Sequence, residues 1–154
     1  MRRFLLVASA FFMFSVPLFA HSFMYAGKGA WKDSNGSGGH YDIQVSKKYM
    51  GNGMVKISTH IDFGDRDMSW TFFGQHKEHD LFDVLDSDQV KIGTGYCFEK
   101  SHHTHICHMD VQVGDVKIEK TMHIEKNHCK SMGSKTLPDG TKVMWMDALE
   151  RVHS

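Results

Sequence analysis

The chain has 154 residues, with 18 basic and 18 acidic side chains, so its formal charge is zero when the histidines are neutral. The charges are interspersed and not blocked, which leaves no electrostatic footprint for nucleic acid or an anionic lipid surface. The unusual totals are 12 histidines and 11 methionines, beside only three cysteines and two prolines.

The first twenty positions have the layout of an export signal. Arg2 and Arg3 supply the positive start, and Phe4 to Ala20 is apolar apart from Ser9 and Ser15. Leu18 and Ala20 make an acceptable cleavage site. An apolar run of roughly 17 residues is at the lower limit for crossing a bilayer, and no cationic stop-transfer segment follows it. The expectation is a signal peptide over 1–20 and a single domain over 21–154, periplasmic or secreted, with no stable membrane insertion after cleavage. The mature part would carry 16 basic and 18 acidic residues, a formal charge of −2. Its first residue would be His21, whose amine and imidazole could together hold copper in a histidine brace. No feature of the sequence nominates the second histidine that a brace requires.

Beyond the leader, one pattern recurs: a short apolar–polar alternation closed by turn residues. Tyr41, Ile43 and Val45 alternate with polar neighbours, as do Val55, Ile57, Thr59, Ile61 and Phe63. The series continues through Val90, Ile92, Thr94, Tyr96 and Phe98, then Met109, Val111 and Val113, then Val116, Ile118, Lys120, Met122 and Ile124. Period two is the mark of strands with one buried face. Asn35-Gly36-Ser37-Gly38-Gly39, Gly51-Asn52-Gly53, Gly64-Asp65, Asp86-Ser87-Asp88, Gly114-Asp115 and Pro138-Asp139-Gly140 supply the punctuation. No segment carries a period of 3.6 over a dozen residues. The short connections predict an antiparallel meander, and a meander of this size must deal with its edges. The predicted fold is therefore all-β: an up-and-down barrel of about 8 to 10 strands, with a two-sheet sandwich as the alternative.

Gly27-Lys28-Gly29-Ala30-Trp31, at the first strand, resembles the Gly-x-Trp signature of lipocalin-like (calycin) barrels, in which the Trp packs across the closed end. Gly95-Tyr96-Cys97, Cys107-His108, Gly133-Ser134-Lys135 and Asp139-Gly140 with Trp145 and Leu149 are similar to small exported barrel domains of uncharacterised function. The resemblance implies a calycin-type barrel that binds a small apolar molecule. It implies no catalytic residues.

Several groups are candidates for a site. Cys97 and Cys107 flank a hairpin loop around His102 and could be opposed closely enough for a disulfide. Strict alternation places Tyr96 and Phe98 on the core face and turns Cys97 away, so the bridge would need a bulge near the hairpin end. Cys129 would be the spare, buried thiol. His103 and His105 are two apart on a strand, and with His123 or His128 they could bind copper or zinc. Asp62, Asp65 and Asp67 near Gly64 lack the spacing of a calcium loop and fit a turn. Trp70, Phe72, Thr94, Tyr96, Met122 and Trp145 are the predicted cavity lining, with Phe73, Phe82, Val84, Thr59 and the methionines at 109, 144 and 146 as further candidates. No acid, base and nucleophile set stands out. The sequence thus points to an exported, non-enzymatic protein that binds a small apolar or amphipathic ligand; the alternative is a copper or zinc protein using the His-rich hairpin.

Overall fold

The computed structural model of the protein describes residues 22–152, so the leader expected over 1–20 and the His21 terminus lie outside the described residues. Ten strands follow one another: β1 (Ser22–Asp33), β2 (Gly38–Gly51), β3 (Met54–Asp62), β4 (Asp67–His76), β5 (Leu81–Leu85), β6 (Lys91–Ser101), β7 (Thr104–Val113), β8 (Val116–Ile124), β9 (His128–Thr136) and β10 (Lys142–Val152). Each pairs antiparallel with its sequence neighbours, and β1 also pairs with β10, so the sheet closes on itself. The fold is a lipocalin-like up-and-down barrel, not a sandwich.

The turns form for local reasons. Val113 pairs with Val116 around Gly114-Asp115, with Gly114 at φ +56°, a conformation that L side chains resist. Asp62 Oδ1 accepts a hydrogen bond from the Gly64 amide at 2.7 Å, and Asp86 Oδ1 accepts from the amides of Asp88 and Val90, both at 2.9 Å. These aspartates fold the chain back by mimicking a backbone turn. Asp62 is thereby occupied as a turn residue.

Residues opposite one another across a register share a face of the wall. The inner face carries Tyr41, Ile43, Val55, Ile61, Met109, Val111 and Leu149, all buried. The outer face carries Lys28, Asp42, Gln44, Lys48 and Asp110, all exposed. Apolar inside and charged outside is the reverse of a lipid-facing barrel.

Inner aromatic rings sit against glycines of adjacent strands. Tyr41 covers Gly29, Trp31 covers Gly39, Trp145 covers Gly133 and Phe82 covers Gly95. A Cβ at Gly29, Gly95 or Gly133 would overlap the ring above it. The contact of Phe82 with Gly95 inverts the predicted orientation of β6. Phe82 needs the space over Gly95, so Gly93, Gly95 and Cys97 face inward, and Thr94, Tyr96 and Phe98 face out. Tyr96 and Phe98 are 43% and 39% exposed and stack on the outer wall with centroids 6.3 Å apart. Cys97 and Cys107 therefore meet in direct register on the inner face, with Cα atoms 4.1 Å apart, and are joined as a disulfide. No bulge is needed; the register shift near the hairpin end falls between Glu99 and Ser101, past the cysteines.

One stretch of wall is thinner. β5 meets β4 only from Phe73 to His76, so among the described residues Asp67–Phe72 pairs with β3 alone. Met68 and Trp70 belong to the inner face by register, opposite Ile61 and Thr59, yet are 43% and 41% exposed.

The disulfide closes a short loop, its cysteines 10 positions apart in sequence. Replacing both cysteines by alanine is expected to lower unfolding free energy by about 2–3 kcal/mol in the chain-entropy account, with the far-UV spectrum of the barrel retained. Urea unfolding of the two proteins measures it.

Candidate ligand site

The barrel interior is built from two apolar clusters. Phe82, Val84, Cys97, Cys107, Met109 and Val111 form one. Tyr41, Ile43, Ile61, Cys129 and Leu149 form the other. Met122 and Ile124, both on β8 and both only partly buried, touch the two clusters and join them. Phe72 packs against the first and Trp31 against the second, and neither is fully buried.

Four of the six predicted lining residues have inward registers. Phe72 pairs with Ile57, Trp70 with Thr59, Met122 with Cys107 and Ser131, and Trp145 with Trp31 and Gly133. Thr94 and Tyr96 do not line the interior, because the inversion of β6 puts them outside. Met144 and Met146 are also outside, 52% and 63% exposed.

The histidines do not converge. His103 sits in the β6–β7 turn at φ +73° and is exposed. His105 faces inward opposite Glu99 and Ile124. His123 pairs with Ile106 and Lys130, one residue out of phase with His105, and so points outward. It lines a groove of about 390 Å³ on the outer wall, with Met132, Met146, Lys28, His40 and Lys130 among its neighbours. His103 lies in a turn and strand parity turns His123 away from His105, and among the described residues no three His, Cys, Asp or Glu side chains are grouped to hold a metal ion.

The sequence reading missed the polar groups inside the wall. Asp147, 4% exposed, accepts hydrogen bonds from Tyr41 Oη at 2.5 Å and Ser131 Oγ at 2.6 Å, with Lys120 Nζ 4.0 Å from the same carboxylate. Burial, then the bond to Asp147, raises the Tyr41 pKa, so the phenol remains a donor. Lys47 continues the inner series of β2, paired with Phe23 and Ile57. Burial pushes its pKa down from the ordinary lysine value to about 8, against a smaller opposing pull from Cys129. Its ammonium lies 5.4 Å from the centre of the Tyr49 ring. His105 stands on β7, five strands from β2 in the ring of ten, which is the opposite wall. Burial lowers the His105 pKa, and the charges of Lys47 and His103 add to this while Glu99 opposes it. The ring is therefore neutral. It is 9% exposed, and its Nδ1 is buried without a hydrogen-bond partner. One signal could have found these residues: a charge or imidazole at an inward position of an apolar alternation, as at Lys47, His105, Lys120 and Asp147.

No family model and no curated protein sequence matches the chain. Among solved structures, the chain is similar to an S-type phycobiliprotein lyase from Guillardia theta, with a TM-score of 0.64 and 7% identity over 85% of this chain and 88% of that one. At that identity the likeness is one of fold: the same ten-strand closure can be reached with almost wholly different side chains.

Two outcomes follow from the interior charges. Asp147→Ala would strip Tyr41 and Ser131 of their acceptor and leave Lys120 without its counter-charge, and is expected to cost about 3–5 kcal/mol in urea unfolding. Lys47 binds its proton more weakly folded, with a pKa of about 8, than at the ordinary value of 10.5. The unfolded chain therefore holds more protons between those values, and this residue's contribution to stability rises with pH through that window. Below it the buried charge is a full cost. Lys47→Met is expected to stabilise the fold near neutral pH by about 1–2 kcal/mol, allowing for partial exposure. The difference between the two proteins should shrink as pH rises from 8 towards 10.5. Thermal unfolding of both across that range tests it.

Proposed function

We propose that the protein is an exported, non-enzymatic carrier that holds one small apolar or amphipathic molecule inside its barrel. The observation that carries this is the incomplete burial of bulky inward-facing residues. Phe72, Met122, Ile124 and Trp145 face the interior and are only partly buried, and Trp70 faces it with 41% of its surface exposed. A core packed by its own side chains would bury them. Eight-stranded barrels already have room for one small ligand, and diameter grows with strand number. The closed barrel shared with the phycobiliprotein lyase supports the reading. The thinner wall beside Met68 and Trp70 offers a route in. Asp147 is engaged by Tyr41 and Ser131, which fits a structural role for that carboxylate. Export is supported by the leader-like run over 1–20 and by a disulfide that an oxidising compartment would preserve.

The neutral dye N-phenyl-1-naphthylamine should bind saturably with a rise in fluorescence. Trp70→Ala and Met122→Ala should each weaken it about fivefold, the loss expected for roughly 1 kcal/mol of apolar contact. A dye signal that never saturates would defeat the carrier reading. Protein recovered after expression in an export-competent bacterium should have a mass starting at His21; a mass that retains Met1 would refute export.

A further inference from the structure

We propose that the outer wall carries a binding site for one soft monovalent metal ion, Cu(I) or Ag(I), held by the thioether sulfurs of Met132 and Met146 and a ring nitrogen of His123. The site stands apart from the carrier reading, since it lies on the other side of the wall.

Register brings the donors together. Met132 on β9 and Met146 on β10 are directly paired. Side chains so opposed leave the sheet with Cβ atoms roughly 4.5–5.5 Å apart. His123 on β8 is paired with Lys130, two positions before Met132, and so takes the diagonal place, about 7–8 Å away. All three line the outer groove of about 390 Å³. The methionines are 55% and 63% exposed, His123 is exposed too, and neither methionine joins an apolar cluster of the interior. A methionine side chain is unbranched with three rotatable bonds, so two sulfurs can turn to one point above the sheet. Ala30, paired with Met146 on its other side, leaves that point uncrowded.

The imidazole is available to a metal. Other outward histidines are engaged: His108 Nδ1 lies 2.9 Å from Thr121 Oγ1 and its Nε2 3.3 Å from Asp110 Oδ2, and His60 Nδ1 lies 2.9 Å from Ser69 Oγ. Among the described residues His123 has no such side-chain partner.

The donor set selects the ion. Thioethers are soft ligands and favour Cu(I), whereas carboxylates suit harder ions. The carboxylate at this groove belongs to Asp147, which is 4% exposed and already engaged by Tyr41 and Ser131. Lys28 and Lys130 also line the groove, and Lys28 is paired with Asp42 at 2.9 Å. The repulsion a lysine exerts on a divalent ion is twice that on a monovalent one, because it scales with the charge. A thioether also keeps its lone pairs where thiols pair off, as Cys97 and Cys107 have.

The test is an NMR titration of the purified full chain, isotopically labelled at its methionine methyl groups, with silver nitrate in chloride-free buffer. The signals of Met132 and Met146, assigned through Met132→Leu and Met146→Leu, should shift together and saturate at one ion per chain. Met144 faces outward on the same strand without lining the groove, and its signal should stay in place. Cu(I), supplied anaerobically and measured by competition with bicinchoninate, should bind at least about tenfold more weakly to each leucine variant and to His123→Phe. Met144→Leu should bind it as the parent does, and Zn(II) should not displace Ag(I). Exposed methionines that all shift alike without saturation would mean adventitious ions only and would overturn the site. So would Cu(I) affinity that survives Met132→Leu, Met146→Leu or His123→Phe, or displacement of Ag(I) by Zn(II). Dye binding inside the barrel tests the carrier reading separately.

Discussion

Ten residue pairs between β1 and β10, from Met24–Val152 to Asp33–Val143, turn a ribbon of hairpins into a closed wall. Every other property of the molecule depends on that seam. An open meander would expose two unpaired edges and let its apolar face meet water; closure removes the edges and gives that face a single interior. The seam is tight. A Cβ on Gly27 would overlap the Ala148 carbonyl, and Gly29 lies beneath the Tyr41 ring. Side chains at either position would push β1 away from a neighbour, so these glycines are conditions of closure and not loop residues.

Inside the wall, two kinds of polar group coexist. Asp147 is fully engaged, with Tyr41, Ser131 and Lys120 around it, and it ties β2, β8, β9 and β10 together at a buried point. His105 is buried to a similar degree with an unmet nitrogen, and Lys47 has its charge weakened by burial. A satisfied network is best understood as structural, since its members complete one another. The interior thus divides into a part whose polar groups complete one another and a part in which a buried nitrogen is left unmet.

The abundant histidines and methionines divide in the same way. His105, Met109 and Met122 face inward, whereas His123, Met132, Met144 and Met146 are on the outside. A high count of potential metal ligands is therefore not one cluster: successive strand positions point to opposite sides of a wall, and residues an odd number of positions out of phase cannot meet across it. The Gly-x-Trp segment fares differently. Trp31 is inward, packs against the Tyr41 cluster and covers Gly39, a role set by the residues beside it.

Period-two patterning and turn residues were enough, by themselves, to establish an all-β chain, its antiparallel meander, a strand count near ten and the inner faces of β2, β3, β7 and β8. These are local properties: one strand and its turns carry them. The face of β6 was not legible, because its larger residues are the outer ones. Only the packing of Phe82 over Gly95 decided that Cys97, and not Tyr96, looks inward. That Lys47 and His105 both face the interior, from opposite walls, was equally invisible, since 58 positions separate 47 from 105. Alternation states which residues share a side of a strand. Which side becomes the inside, and which distant side chains then confront one another, is settled when the sheet curls and its first and last strands meet.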